Sequence, residues 1–324
     1  MRNSILVFLI LIFPVALLAK DDVVYSMTVA QDGSGDYKSI QDAVNHTKAF
    51  PNKRITIVIK NGTYNEKVKV HEWNNLLSLV GESRDGVVIA YDDHFKKIDR
   101  GRNSTFHTPT FLVEGDDFRG ENLTIKNTAG PVGQAIALAV NADRVVFRNS
   151  GFFGFQDTVY LTGENKRAYF QDCYVEGTTD FIFGRATAVF ESCRLHAKKN
   201  SYITAASTPR SADYGFVFIG CTLTADEGVD KVYLGRPWRP YAKTVFIDTE
   251  MGAHLASQGW SNWSGTNSTE TTYYAEYNSH GEGGNVEKRA DWSRQLTKKQ
   301  ARAYTAKKIL GKYEGRYWFV DQDD

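Results

Sequence analysis

Val145-Val-Phe-Arg-Asn149, Ala168-Tyr-Phe-Gln-Asp172 and Ala188-Val-Phe-Glu-Ser192 are three versions of one phrase, alternating apolar residues closed by a polar or small one. The phrase extends backward to Leu123-Thr-Ile-Lys-Asn127 and forward to Gly215-Phe-Val-Phe-Ile219 and Thr244-Val-Phe-Ile-Asp248. Aligned on Ile125, Phe147, Phe170, Phe190, Phe218 and Phe246, the copies step by 22, 23, 20, 28 and 28 residues. A second series, Leu138, Tyr160, Ile182 and Ile203, steps by 22, 22 and 21. A recurring period of this size marks a solenoid in which each coil stacks on the one before, and two series mean at least two strands per coil. Short strands, Gly and Asn punctuation and no intervening amphipathic helix predict an all-β fold, a parallel β-helix rather than a βαβ fold. A β-sandwich would have no reason to hold a constant step, and Asn-Gly hairpin signals are scarce apart from Asn61-Gly62.

Outward from this core, Ile55 to Lys60, Leu76 to Val80 and Val87 to Tyr91 read as the first coils, and Ser39-Ile-Gln-Asp-Ala-Val44 opens a short helix over the solenoid's end. At the other end Thr297-Lys-Lys-Gln300 is a capping box whose helix continues from Ala301 to Leu310 and stops at Gly311. Lys298, Lys299, Lys307 and Lys308 are then an exposed helix face rather than a binding patch. Met1-Arg2-Asn3, the apolar run Ile5 to Leu18 and small Ala19 form a secretory signal peptide over residues 1–19. The run is short of the roughly 20 residues that span a bilayer, so no membrane anchor is expected. Residues 20–324 form one domain, secreted and extracellular. A composition of 42% hydrophobic and 24% charged residues can bury a sizeable core, and a net charge of +1 gives none of the basic excess of nucleic-acid binders. Sequons at Asn45, Asn61, Asn103, Asn122, Asn262 and Asn267 are acceptors where a source glycosylates its secreted proteins.

Cys173, Cys193 and Cys221 follow Phe170, Phe190 and Phe218 at one spacing, so they stack on successive coils, about 4.8 Å apart. Either neighbouring pair can bridge, the shorter loop slightly favouring Cys173 with Cys193, or all three stay thiols. No Cys or His spacing matches a zinc site. On a solenoid a catalytic pair appears as two carboxylates one period apart in polar turns. Asp157 and Asp180 differ by 23, Gln134 lies 23 before Asp157, and Gln156 adjoins it. Each sits at a Gly-rich turn: Gly130-Pro-Val-Gly-Gln134, Gly154-Phe-Gln-Asp157 and Gly177-Thr-Thr-Asp180. Two such close carboxylates split their pKa values, one pushed up and the other kept low by a cation, which Arg236 in Leu234-Gly-Arg-Pro-Trp238 supplies two coils on.

Gly154-Phe-Gln-Asp-Thr-Val-Tyr160, Glu176-Gly-Thr-Thr-Asp-Phe-Ile-Phe-Gly184 and Tyr233-Leu-Gly-Arg-Pro-Trp238 closely resemble the signature segments of pectin methylesterases (pectinesterases). Further similarity runs from Val29-Ala-Gln-Asp-Gly-Ser-Gly-Asp-Tyr37 to Tyr273-Tyr-Ala-Glu-Tyr-Asn278 and the closing Leu296-Thr-Lys-Lys-Gln-Ala301 helix. The resemblance implies a right-handed β-helix, Asp180 as nucleophile, Asp157 as general acid then base, and Gln134 with Gln156 as the oxyanion hole. It implies that Arg236 holds Asp180 ionised, that Trp238 packs against a sugar, that Cys173 and Cys193 are bridged, and that no cofactor is used. The substrate is then methyl-esterified homogalacturonan, and proteinaceous pectinesterase inhibitors are expected partners of a monomer. Phe155, Tyr160, Phe183, Trp238 and Tyr241 would line the polymer groove, with Tyr160 and Phe183 open to the alternative of core packing.

Arg185 departs from the family pattern, which has a small polar residue such as Asn there, and is expected to attract free carboxylates beside the ester. The resemblance starts within ten residues of the signal, so the long inhibitor-like pro-region of some relatives is not expected. A glycoside hydrolase or lyase on the same solenoid is the first rival, since two carboxylates about 5 Å apart suit retaining glycosidases. The paired glutamines favour the esterase, because an oxyanion needs donors. A catalytically silent polysaccharide-binding solenoid would have lost part of this acid, base and amide set, and nothing in it is missing.

Overall fold

The computed structural model describes residues 24–320, so the signal-peptide expectation lies outside the described residues. The coils build three parallel sheets, one more than the two strand series found in the sequence. Among the described residues the first sheet has eleven strands, the second eight and the third seven. Strands one coil apart are hydrogen-bonded neighbours, the connectivity of a right-handed parallel β-helix.

Inside the coil, the rings of Phe147, Phe170, Phe190, Phe218 and Phe246 lie in register on five successive strands of the first sheet. Their centroids are 5.6, 4.5, 4.9 and 4.4 Å apart, with planes 7° to 18° from parallel. All five are fully buried. Offset stacking of this kind adds about 0.5–1.5 kcal/mol per pair beyond the area buried.

The expected sixth rung, Ile125, is misplaced. It belongs to the second sheet, beside Phe152, and the partner of Phe147 is Gly120, 27 residues earlier. A Cβ on Gly120 would lie 2.4 Å from Phe147 Cε1, so the ring occupies the space a side chain would need. An alignment on apolar residues cannot find a rung that is a glycine.

The polar or small residue closing the phrase at Asn149, Asp172, Ser192 and Asp248 makes the corner between first and second sheets, and Gly220 does so one residue after Ile219; Asn127, which closes the first copy, lies in the second sheet instead. Asn122, Asn149, Asp172, Ser192, Gly220, Asp248 and Asn278 all have φ between 40° and 60°. Asn, Asp and Gly are the residues that tolerate this left-handed region. Each corner N–H from Asn122 to Asp248 donates to a carbonyl of the next coil, and the side chains form a ladder of their own, Asn149 Nδ2 to Asn122 Oδ1 and Asn278 Nδ2 to Asp248 Oδ1, both 2.7 Å.

In the second expected series Leu138 and Ile182 are rungs, while Tyr160 and Ile203 are each one residue out of step. Leu138, Val159, Ile182 and Thr204 are the true inward rungs of the third sheet, and Ala139, Tyr160, Phe183 and Ala205 form the outward row. A one-residue slip exchanges the two faces of a strand, so Tyr160 and Phe183 stand on the outside rather than in the core.

The helix Ile40–Asn45 forms as expected, with Ser39 capping it and Ile40, Ala43 and Val44 buried. The capping box at Thr297 is also present. The helix it starts ends at Ala301, and a second, Ala306–Leu310, begins on a new cap, Thr305. The two do not close the far end. They lie along the outer face of the first sheet, where Ala306, Ile309, Leu310 and Phe319 cover Val146, Tyr169, Val189 and Val217. The far end is closed instead by Trp260, Tyr274 and Trp292, above a buried Glu276 that accepts from Arg289 Nε at 2.9 Å and Trp260 Nε1 at 3.0 Å.

The cysteines stack one per coil, as the period requires. They stand as three buried free thiols, not as the expected Cys173–Cys193 bridge. Their Sγ atoms donate instead to the carbonyls of Phe147, Phe170 and Phe190 at 3.6, 3.5 and 3.3 Å, which satisfies each thiol without oxidation. Denatured, unreduced protein is therefore expected to titrate three thiols with a chromogenic disulfide reagent; a count of one would restore the bridge.

Candidate active site

The turns from second to third sheet carry the candidate catalytic residues. Val159 N donates to Phe181 O at 2.8 Å and Asp157 N to Thr179 O at 3.1 Å, one unbroken parallel pattern that sets Asp157 opposite Asp180. Gln134 and Gln156 form a parallel bridge one coil lower, with Ala135 N donating to Gln156 O at 3.2 Å. The sequence-predicted four are therefore brought together by backbone hydrogen bonds. Both aspartates have left-handed backbones, φ 67° and 50°, which Asp tolerates and which strained functional positions often adopt. Gly177 leaves room for this turn, since a Cβ there would meet Phe181 Cβ at 2.2 Å and Phe155 O at 2.6 Å.

Arg236 follows the strand Tyr233–Gly235, two coils after Asp180 as expected, although the coils are 22 and 31 residues rather than twice 28. Its Nε donates to Asp180 Oδ1 at 2.9 Å and its Nη2 to Oδ2 at 2.6 Å, a two-pronged charge-assisted pair. The guanidinium is held between two rings, its Cζ 4.1 Å from the centroids of both Tyr202 and Trp263. Sequence reasoning missed both rings. Tyr202 directly precedes an expected rung, and its in-register partner Tyr233, stacked on it at 5.5 Å, lies 31 residues on, outside the shorter steps of that series; Trp263 sits inside a sequon and on no strand.

Asp157 and Asp180 are 8% and 6% exposed, and burial penalises the charge of each. Burial, then the charge of Asp180, pushes the Asp157 carboxyl well above the usual range, with Gln156 and Arg236 pulling weakly the other way. Burial also raises Asp180, but the hydrogen bonds and charge of Arg236 oppose it. The expected split is present in a modified form: neither pKa is low, and Arg236 decides which carboxyl ionises first.

Tyr160 and Phe183 stack at 4.7 Å, Phe183 meets Trp238 edge-on at 6.0 Å, and Phe106, another residue the sequence did not flag, reaches Tyr160 at 5.2 Å. With Ile136, Ala139 and Ala205 these rings form an apolar platform on the outer face of the third sheet. Phe155 stands apart under the Lys198 ammonium, 3.9 Å from its ring, and Lys198 is itself paired with Glu176. Tyr241 also lies outside the platform, its ring 5.4 Å from Arg210 Cζ. Arg185 is exposed and reaches Glu164 at 3.5 Å, a partner that competes with any anion it would attract. Of the six sequon asparagines, all but Asn122 are exposed.

A raised carboxyl pKa has a stability consequence whose sign is fixed. Above the ordinary value of 3.8, and up to its raised native value, Asp157 binds its proton more tightly folded than unfolded. Its contribution is present at low pH and is lost as pH rises through that window. Asp157→Asn, neutral throughout, is expected to melt a few degrees above wild type near neutrality, as about 1–2 kcal/mol gives in a large domain, with the gap closing near pH 4. Thermal melts across pH check this, and a gap independent of pH would contradict it.

A pectinesterase family profile matches residues 26–313. Pectinesterase 31 of Arabidopsis thaliana is 36% identical over 298 residues, covering 90% of this chain and 93% of that protein. Several other curated relatives are longer, and the chain spans about half of their length. Among solved structures, the pectin methylesterase from carrot superposes with a TM-score of 0.82 at 30% identity, over 88% of this chain and 92% of that one. A pectin methylesterase in complex with hexasaccharide VII does so with 0.80 at 30% identity, over 91% and 100%. A superposable coil, a relative 36% identical over most of both chains and a family profile over nearly all the described residues agree: the chain belongs to the pectinesterase family.

Proposed function

We propose that the chain is a secreted pectin methylesterase that hydrolyses the C6 methyl esters of homogalacturonan with Asp180 as nucleophile and Asp157 as acid and base. The observation that carries this reading is the asymmetry of the pair, one buried carboxyl gripped by a two-pronged arginine and its neighbour pushed toward the protonated form. That is the charge state an ester attack requires: one nucleophile, one proton donor.

In this mechanism an oxygen of ionised Asp180 attacks the ester carbonyl carbon, and the carbonyl oxygen becomes an oxyanion that accepts from the side-chain amides of Gln134 and Gln156. The tetrahedral species collapses, the C–O bond to the methoxy group breaks, and the leaving oxygen takes the Asp157 proton to depart as methanol. An anhydride between Asp180 and the sugar acid remains. Asp157, now a carboxylate, takes a proton from water, whose oxygen attacks the sugar carbonyl carbon; Asp180 leaves as a carboxylate and Asp157 is again protonated. Arg236 serves both halves, because the carboxylate it grips is nucleophile in the first and leaving group in the second. Tyr160 and Trp238, the partly exposed rings of the platform, offer faces for sugar rings, and Phe183, buried against both, holds them in place. The hexasaccharide complex of a structural relative supports an oligosaccharide ligand.

Methanol release from methylated pectin is expected from wild type and to fall at least about 10³-fold in Asp157→Asn and Asp180→Asn, both remaining folded. Gln134→Ala is expected to lose about 10²–10³ in kcat, as deletion of one oxyanion donor does elsewhere. Chain shortening without methanol would instead indicate a glycosidase or lyase, and full activity in either aspartate variant would reject the assigned roles.

Arg185 gives a finer expectation. If its guanidinium serves neighbouring free carboxylates despite Glu164, Arg185→Asn should lower the ratio of activity on partly de-esterified to fully esterified pectin. An unchanged ratio would remove Arg185 from substrate selection.

A further inference from the structure

Four aromatic residues stand out as exposed among the described residues: Phe50, Trp73, Phe106 and Tyr313. Phe106 belongs to the catalytic platform. The other three converge on one groove of about 800 Å³ at the turns from third to first sheet, whose floor includes Lys69, Arg144 and Lys166. Exposed apolar side chains scattered singly need no explanation, but their gathering does.

Two of the rings, and the backbone of the third, are held in place. Trp73 lies flat on His71, with centroids 4.4 Å apart and planes 7° from parallel. Phe50 N donates to Trp73 O at 2.8 Å. Arg144 Cζ sits 3.8 Å beneath the Tyr313 ring. Phe50 is the least expected of them, 71% exposed with φ 49°, so its ring buries little while its backbone is in a strained region. Folding alone would favour glycine there.

Charge decides what the groove takes. Each lining cation already has a carboxylate: Lys69 with Glu114 at 3.0 Å, Lys166 with Asp116 at 3.2 Å, Arg144 with Asp117 at 2.7 Å. A polyanion would meet no unpaired cation here. An uncharged sugar would find flat aromatic faces and many polar groups, whereas a protein partner would find too polar a floor for an apolar anchor. The groove also shares a sheet face with the site already described. Lys69, Leu112, Ala139 and Tyr160 are consecutive rungs of one outward row of the third sheet, so Lys69 in the groove and Tyr160 on the platform are three rungs, about 14 Å, apart.

We propose that Phe50, Trp73 and Tyr313 form a second polysaccharide site that binds an uncharged, methyl-esterified stretch of the same galacturonan chain whose ester is being hydrolysed. The proposal rests on the pectin methylesterase reading for its ligand. It would hold the polymer by its esterified part while the aspartates work nearby.

The test uses Phe50→Gly and Trp73→Ala, the first chosen because glycine suits φ 49° and the melting temperature should not fall. In an Asp180→Asn background, each is expected to weaken binding of highly methylated pectin about tenfold, the loss of one stacked ring, and to leave the already weak binding of pectate unchanged. In the active enzyme, KM for the polymer should rise by a similar factor while kcat, and turnover of a methylated oligomer too short to span both sites, stay unchanged. Unaltered polymer binding in both variants overturns the proposal. Tighter wild-type binding of pectate, or of a neutral glucan, than of methylated pectin overturns the assigned ligand, and a dimer abolished by either variant would make the groove a contact between copies. If wild type releases no methanol yet binds methylated pectin through Phe50, the catalytic reading fails and this site survives.

Discussion

Stacking of phenyl rings inside the coil sets the register on which every other feature depends. Phe147 to Phe246 fill the interior in one line, and each ring fixes its strand against the next to within a residue. Because side chains alternate between faces, a single-residue slip would turn the platform of Tyr160 and Phe183 inward and replace it with Val159 and Ile182. It would also separate Asp157 from Asp180, whose alignment is only the continuation of that ladder by two residues. The active site therefore inherits its precision from a core it does not touch.

That precision serves an electrostatic problem. Two carboxyls buried side by side cannot both carry charge, and burial raises both. One guanidinium bound to a single member of the pair is the economical solution, an ion pair plus a neutral acid. Tyr202 and Trp263 make it work, because a guanidinium clamped between two rings keeps its fork aimed and partly desolvated, where hydrogen bonds to a carboxylate are strongest. Without the arginine, both carboxyls would favour protonation and the site would hold two neutral acids and no ionised carboxylate. The Arg236–Asp180 pair is thus a device for choosing a charge state more than a stabilising contact, in keeping with the modest net value of buried ion pairs.

The coil, the first strands, the helix at Ser39, the capping box and the meeting of the four candidate turn residues were all legible, because each rests on a period or a local signal. Legibility failed where a position is defined by what is missing or by what lies far away. Gly120 is a rung with no side chain, so apolar alignment chose Ile125 from the neighbouring sheet. Tyr160 and Val159 are both apolar enough to head a series, and only the sheet's two faces tell them apart. The break at Thr305 and the placement of the last helices along the first sheet depend on Val146, Tyr169, Val189 and Val217, a second outward apolar row that the ring series overshadows. Trp263 meets Arg236 by a turn whose length no period constrains.

The same distinction says where this solenoid is free to vary. A corner from first to second sheet is one left-handed residue whose N–H must reach the next coil, so neither its length nor its residue type has much freedom. The turns on either side of the third sheet have no such limit. Coils of 22 and 31 residues there bring Ile182, Thr204 and Gly235 into one stack, the excess being absorbed in the turns. Every feature with chemistry sits in that freer half: the aspartates and glutamines before the third sheet, Arg236 and Trp238 after it, and the exposed rings of Phe50 and Trp73 beside its first coils. A rigid corner on one side lets loops on the other be long without loss of register, and that allows an acid pair to be held to within a hydrogen bond on a scaffold whose coil length changes from one turn to the next.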